Sequence, residues 1–170
     1  MKIADRIHLV GSGKFGMELT EPTDCNVYLL DGGSECALID AGGGIDPERI
    51  VENIRRDGFD MKRIRYCLLT HVHADHAAGA RFFHDRYGMD VIVSREAAPW
   101  LENGDLQKTS VEHAKRGGVY PADYRFPACP VARAVAEGER IAVGAIELAV
   151  IDAPGHSRGH VCYLWEEEGK

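Results

Sequence analysis

Apolar positions in this chain fall into short runs, separated by glycine, proline and charged residues, and most runs are too short for helices. Lys2 to Val10 alternates loosely and predicts a strand. Asn26 to Asp31 and Glu35 to Ala41 are apolar runs joined by Gly32-Gly33-Ser34, a hairpin signal. Gly42-Gly43-Gly44 then breaks the pattern. Asp46-Pro47 predicts a helix start, with Asp at the cap and Pro in the first turn. Ile50, Val51 and Ile54 continue it at helical spacing as far as Gly58.

Ile64 to Thr70 reads as a buried strand and runs straight into His71-Val72-His73-Ala74-Asp75-His76. A helix is expected over Ala77 to Tyr87, closed by Gly88, then a strand over Asp90 to Ser94. Ser94 is a candidate cap for a further helix to about Asn103. Gly104 to Pro130 is polar and broken by Gly117-Gly118, Pro121 and Pro127, so it is expected as a surface insertion near the active site. Gly144 to Asp152 alternates again. Ala153-Pro154-Gly155-His156 makes a loop, and His160 to Glu166 is a last strand with no evident hairpin partner. Strands and helices are thus mixed, with antiparallel hairpins at both ends. The order predicts an α/β chain with two mixed sheets and helices outside them.

Composition narrows the picture only a little. At 170 residues, 45% hydrophobic and 28% charged, the chain fits one globular domain spanning 1–170. No run approaches the roughly 20 apolar residues that span a bilayer. Charges in the first sixteen residues sit where a signal peptide needs its apolar stretch, so a cytoplasmic protein is expected. The net charge of -7 argues against nucleic acid as a partner, and the run Glu166-Glu167-Glu168 reads as a solvated end. Five cysteines with no CxxC pair argue against a disulfide framework and against a thiolate zinc site. Cys25, Cys36, Cys67 and Cys162 lie in or beside apolar runs and are expected as buried free thiols.

The chemistry concentrates at one place. His71, His73, Asp75 and His76 all fall between positions 71 and 76. A borderline-soft divalent metal such as zinc takes imidazole and carboxylate donors. One intervening residue puts the rings of His71 and His73 on the same side of an extended backbone. Asp75 and His76 follow as the chain turns into a helix, which points them at a neighbouring position. The spacing suits two adjacent metals better than one. Downstream, His156 sits on a glycine-flanked loop after a strand, a fitting place for another imidazole. His8, His84 and His113 have no partner motif and are expected to be structural or solvent-facing.

Thr70 to His76 (THVHADH) resembles the HxHxDH signature of the metallo-β-lactamase superfamily. Ala153 to His160 (APGHSRGH) resembles that family's Pro-Gly-His loop, and Leu38 to Gly42 (LIDAG) its early Asp-containing strand end. The resemblance covers essentially the whole chain and implies an αββα sandwich with the site at one edge of the sheets. It implies that His71, His73 and His156 bind a first metal, and that Asp75 and His76 bind a second. Asp40 matches a position that hydrogen-bonds the ligand loop. Asp75 would also orient the attacking nucleophile or accept its proton. His160 either lines the pocket or simply begins the last strand. Family members continue to a bridging Asp and a further His, which this sequence does not reach. It is therefore expected to be a truncated form, with its C-terminal part missing and its second site weak or empty.

By resemblance to glyoxalase II and related enzymes, the expected activity is metal-dependent hydrolysis of an ester, thioester or lactone. The substrate would be a small molecule and the cofactor one or two zinc ions, with iron or manganese as alternatives. No membrane partner is expected, and an oligomer is compatible with the sequence. Two further readings stay open: a persulfide dioxygenase-like enzyme with one iron, and a metal-binding fragment without turnover. Lys14, Phe15 and Met17 are expected in a flap over the pocket.

Overall fold

In the computed structural model, which describes residues 1–166, the loose alternation of the first residues becomes two strands rather than one. β1 (Lys2–Ala4) and β2 (Ile7–Gly11) pair antiparallel. The chain reverses between them at Arg6, which takes a left-handed φ of 62°. β3 (Val27–Asp31) and β4 (Cys36–Ile39) form the expected hairpin. β5 (Ile64–Leu68), β6 (Asp90–Ser94) and β7 (Arg133–Val135) then add in parallel. The result is a seven-stranded sheet in chain order, β1 to β7. β8 (Arg140–Val143), β9 (Ile146–Asp152) and β10 (Val161–Trp165) make a second, antiparallel sheet in the order β10-β9-β8. The last strand therefore has a hairpin partner after all. Val161 pairs with Asp152, and the Pro-Gly-His loop is their connection. Glu167 and Glu168 of the acidic run lie outside the described residues.

Alternation along the central strands sorts their side chains between two cores. Leu29, Leu38, Cys67, Val91 and Val93 face the helices. Leu30, Ala37, Leu68 and Ile92 face the second sheet, where they meet Ile141, Leu148, Val150 and Val161. This two-sided burial explains why the parallel strands read as continuous apolar runs. The helices are α1 (Glu48–Arg56), α2 (Ala74–Ala77), α3 (Ala80–Tyr87), α4 (Ala98–Asn103) and α5 (Val111–Arg116). All bury residues in the first core, Ile50, Val51, Ile54 and Phe83 among them. Among the described residues the layers thus run helix, sheet, sheet. No helix among them is long and apolar enough to cross a membrane.

Several local expectations shift for identifiable reasons. Pro47 itself takes the cap position of α1, and Asp46 contributes only its carbonyl, to the Arg49 N–H. The helix expected over Ala77 to Tyr87 is divided, because the Gly79 N–H donates to the Gly42 carbonyl at 3.0 Å instead of back along the helix. A Cβ on Gly79 would lie 2.0 Å from the Ala41 carbonyl oxygen. Ser94 accepts the Ala97 N–H in the turn before α4 rather than capping the helix itself. The segment from Gly104 to Pro130 is not all surface: Val111, Tyr120, Phe126 and Cys129 are buried in the first core. All five cysteines are free, but Cys162 is exposed and Cys25 only half-buried.

Candidate metal centre

The site forms where the parallel strands β4 and β5 end side by side. Ile39 pairs with Leu68, and the Asp40 N–H donates to the Leu68 carbonyl at 2.9 Å. Asp40 then turns the chain with a φ of 63°, a conformation that Asp tolerates better than most residues. This folds its carboxylate back over the start of the histidine motif. One oxygen accepts the Thr70 N–H at 2.8 Å, and the other lies 2.8 Å from His76 Nδ1. Thr70 Oγ1 lies 3.1 and 2.9 Å from the two carboxylate oxygens, and 3.0 Å from His71 Nδ1.

These contacts fix tautomers. A carboxylate only accepts, so the single Thr70 hydroxyl proton goes to Asp40. The hydroxyl must then accept from His71 Nδ1–H. His71 is 2% exposed, and its Nε2 is buried with no hydrogen-bond partner. Its lone pair therefore points into the cluster unused. By the same logic His76 donates from Nδ1 to Asp40, and its Nε2 lies 3.4 Å from Asp75 Oδ2.

Val72 is fully buried between His71 and His73, so the two rings fall on one side of the extended segment. His73 Nδ1 lies 3.0 Å from His156 Nε2. One ligand atom from each of His71, His73 and His156 lies within 4.8 Å of the other two. Zinc–nitrogen bonds of about 2.0–2.1 Å in a tetrahedron put nitrogens roughly 3.3 Å apart, so a small adjustment of these rings admits an ion. The orphaned Nε2 of His71 fits the same conclusion. His156 reaches the cluster because its loop is pinned at both sides. Ala153 N–H donates to the His160 carbonyl at 2.8 Å, and Val161 N–H to the Thr70 carbonyl at 2.9 Å.

Burial and neighbouring imidazoles keep His71 and His73 neutral. Burial, then His76, His73, His160 and His156, push His71 down to about 2. Burial and His156 also lower His73, against the opposing charge of Asp75. Burial pulls His76 down too, but the hydrogen bond and charge of Asp40, then Asp75, outweigh it and raise the group. Neutral imidazoles with free lone pairs are what a metal requires.

His160 stands just before β10 and stacks on His71, with ring centres 4.5 Å apart and planes at 26°. It also lines a cavity of about 590 Å³ that opens beside Asp75 and His76. Lys14 and Phe15 from the expected flap, and Val119 and Tyr120 from the 104–130 segment, form other walls. Phe15 is 93% exposed and Met17 59%, though Met17 is not part of the lining. His8 instead bonds Asp57 and His84 the Met89 carbonyl, both away from the cavity.

Cys25 was not singled out by the sequence, yet its thiol shares a second ligand group with Asp40 and His76. Its signal is faint, since nothing near it in sequence binds metal. Its backbone N–H donates to the Asp75 carbonyl at 3.1 Å, which holds it at the site. Burial, then the charges of Asp40 and Asp75, push the thiol far up, so it stays protonated. Asp40 already has both oxygens engaged by Thr70 and His76.

The family model described as the metallo-beta-lactamase superfamily matches residues 20–169. The chain is 27% identical to a probable metallo-hydrolase of Burkholderia pseudomallei, over 86% of this chain and 50% of that protein. It is 28% identical to an acyl-coenzyme A thioesterase of Gallus gallus, over 95% of this chain and 61% of that one. It is 27% identical to a hydroxyacylglutathione hydrolase of Haemophilus influenzae, over 82% and 60%. The solved structure of a subclass B3 metallo-beta-lactamase of Bradyrhizobium japonicum superposes with a TM-score of 0.79 at 26% identity, covering 99% of this chain and 57% of that one. The chain thus spans about half to three-fifths of the length of these relatives.

Proposed function

The chain belongs to the metallo-beta-lactamase superfamily, and from that premise we propose that it is a zinc-dependent hydrolase of acyl thioesters, with esters and lactones as chemical neighbours. The observation that carries this reading is the buried, unpartnered Nε2 of His71 in a cluster where one ligand atom from each of His71, His73 and His156 lies within 4.8 Å of the others. Relatives named as an acyl-coenzyme A thioesterase and a hydroxyacylglutathione hydrolase favour the thioester among the three carbonyl classes.

In this reading His71, His73 and His156 hold the first metal, and Asp75 and His76 are the groups this sequence offers to a second. Bound zinc supplies a water of lowered pKa and polarises the carbonyl under attack. The protein's own residues do the rest. Thr70 holds His71 in the tautomer that leaves Nε2 free, and Asp40 orients His76 through its Nδ1. In this reading Asp75, 46% exposed at the cavity wall, orients the attacking water and accepts its proton. The cavity walls beside Asp75 exclude bulk water from one side of the substrate.

Hydrolysis of an acyl thioester, followed with a thiol-reactive dye, tests the reading. Turnover should vanish with a chelator and return on adding zinc. Turnover indifferent to chelation would overturn it, and iron as the resident metal would redirect it to oxygen-dependent chemistry.

A further inference from the structure

Two buried polar atoms in the cavity wall have nothing to bind. Tyr120 is 5% exposed and Asp24 8%, and both line the cavity that holds Asp75 and His76. Tyr120 Oη and Asp24 Oδ2 are each buried without a hydrogen-bond partner. Such atoms cost free energy unless something satisfies them.

The niche is built, not incidental. Asp24 Oδ1 accepts the Gly43 N–H at 2.8 Å, which fixes the carboxylate. Thr20 also neighbours Asp24, its hydroxyl oxygen taking the Ser12 N–H, without hydrogen-bond geometry to Oδ2. The Tyr120 ring stacks on Tyr124, centre to centre 4.1 Å and nearly parallel. Tyr124 is held in turn by donating to the Gly43 carbonyl at 2.7 Å. Thr23 lies beside Tyr120 without hydrogen-bond geometry, and its hydroxyl donates to Glu21 instead. Both groups lie over the glycine pair after Asp40. A Cβ on Gly42 would sit 2.7 Å from Asp24 Oδ1, and one on Gly43 3.5 Å from Tyr120 Oη.

The two atoms have opposite needs. A phenol whose ionisation is suppressed by burial donates. Asp24 accepts as a carboxylate; burial raises its pKa, against the opposing pull of Thr20 and Gly43. A secondary amide answers both, its C=O taking the Tyr120 proton and its N–H meeting Asp24. The niche is also within reach of the proposed chemistry, since the residue after Asp24 bonds the Asp75 backbone. We infer that Asp24 and Tyr120 form a subsite for a secondary amide carried by the substrate beside its scissile thioester. This deepens the thioester reading and rests on it for the identity of the neighbouring bond.

The test uses unreactive thioethers, so that binding is read without turnover. One probe is N-(2-(butylthio)ethyl)acetamide, and the other replaces its N–H by CH₂ to give a methyl ketone. Dissociation constants are measured by NMR titration of the full chain, alongside Asp24→Asn and Tyr120→Phe. A hydrogen bond to a charged acceptor predicts that the amide binds about tenfold tighter than the ketone. Asp24→Asn keeps an oxygen for Gly43 and should erase that preference. Tyr120→Phe keeps the stacked ring and should weaken amide binding several-fold, which tests the niche even if the Asp24 variant fails to fold. Equal binding of the two probes to the unaltered protein would overturn the subsite and leave a niche filled by water. So would a preference that survives in Asp24→Asn. Thioester turnover without probe discrimination would sink the subsite alone, whereas discrimination in a protein that hydrolyses no thioester would sink the hydrolase reading alone.

Discussion

Asp40 and His76 lie 36 residues apart in sequence and meet at 2.8 Å, carboxylate oxygen to Nδ1. Through Thr70 the same carboxylate also reaches His71. One buried acid therefore sets the tautomer of an imidazole at each of the two proposed metal positions. Asp40→Ala should lower metal affinity about 10- to 100-fold, the usual cost of losing such support. It should also destabilise the fold by about 1–3 kcal/mol, because buried donors lose their acceptor. Competition with a chromophoric chelator and chemical denaturation measure the two effects separately.

Thr70 is the relay, and its hydroxyl rather than its shape is what matters. Thr70→Val keeps the volume but leaves His71 Nδ1–H without an acceptor. The proton can then move to Nε2 and block the lone pair. Metal affinity should fall about tenfold in Thr70→Val and hold close to the original in Thr70→Ser. The same chelator competition decides it, and equal losses in both variants would count against the relay.

Gly79 lets α3 approach the strand end that carries Asp40. Its N–H donates to the Gly42 carbonyl at 3.0 Å, while a Cβ would collide with the Ala41 oxygen. Ala41 N–H in turn donates to the His76 carbonyl at 2.7 Å. Gly79→Ala should cost about 1–3 kcal/mol as an overpacked contact and should weaken metal binding as well, by shifting His76 against Asp40. A stable variant with unchanged metal affinity would show that the approach is not needed.

Much of this arrangement was legible in the sequence, because metal ligands come in dense, regularly spaced clusters. The HxHxDH segment, the loop at His156 and Asp40 stand out in the sequence as motifs, and the central strands as unbroken apolar runs. What the sequence hid is contact between distant segments. Cys25 reads only as a buried thiol, Tyr120 only as one residue of a segment expected near the site, and Asp24 as an ordinary loop residue; which of their atoms meet the cavity is set by packing. The division of one expected helix at Gly79 and the pairing of β10 with β9 are likewise tertiary facts. The first comes from a close backbone approach, the second from a register that only the folded sheet defines.

Away from the site, Asp57 bonds both the N-terminal amine and His8. Burial raises its carboxyl, but these two partners outweigh burial, and the net shift is downward from 3.8. A carboxyl lowered by folding stabilises the protein above its unfolded value, and that contribution is lost as pH falls through the folded one. Asp57→Asn should therefore cost about 1 kcal/mol or less at neutral pH, as for partly exposed ion pairs. The difference should shrink as the pH is taken below 3.8. Thermal melts of both proteins across that range give the answer, and a gap that widens in acid would contradict it.

The central claim, that His71, His73 and His156 together hold a metal, is tested most directly by elemental mass spectrometry of the purified chain beside His156→Ala. His156 is exposed, so its loss should leave the fold intact. The account predicts about one tightly held zinc per chain, lost in the variant while the circular dichroism spectrum stays the same. A folded protein with no metal, or a variant that keeps the full complement, would contradict it.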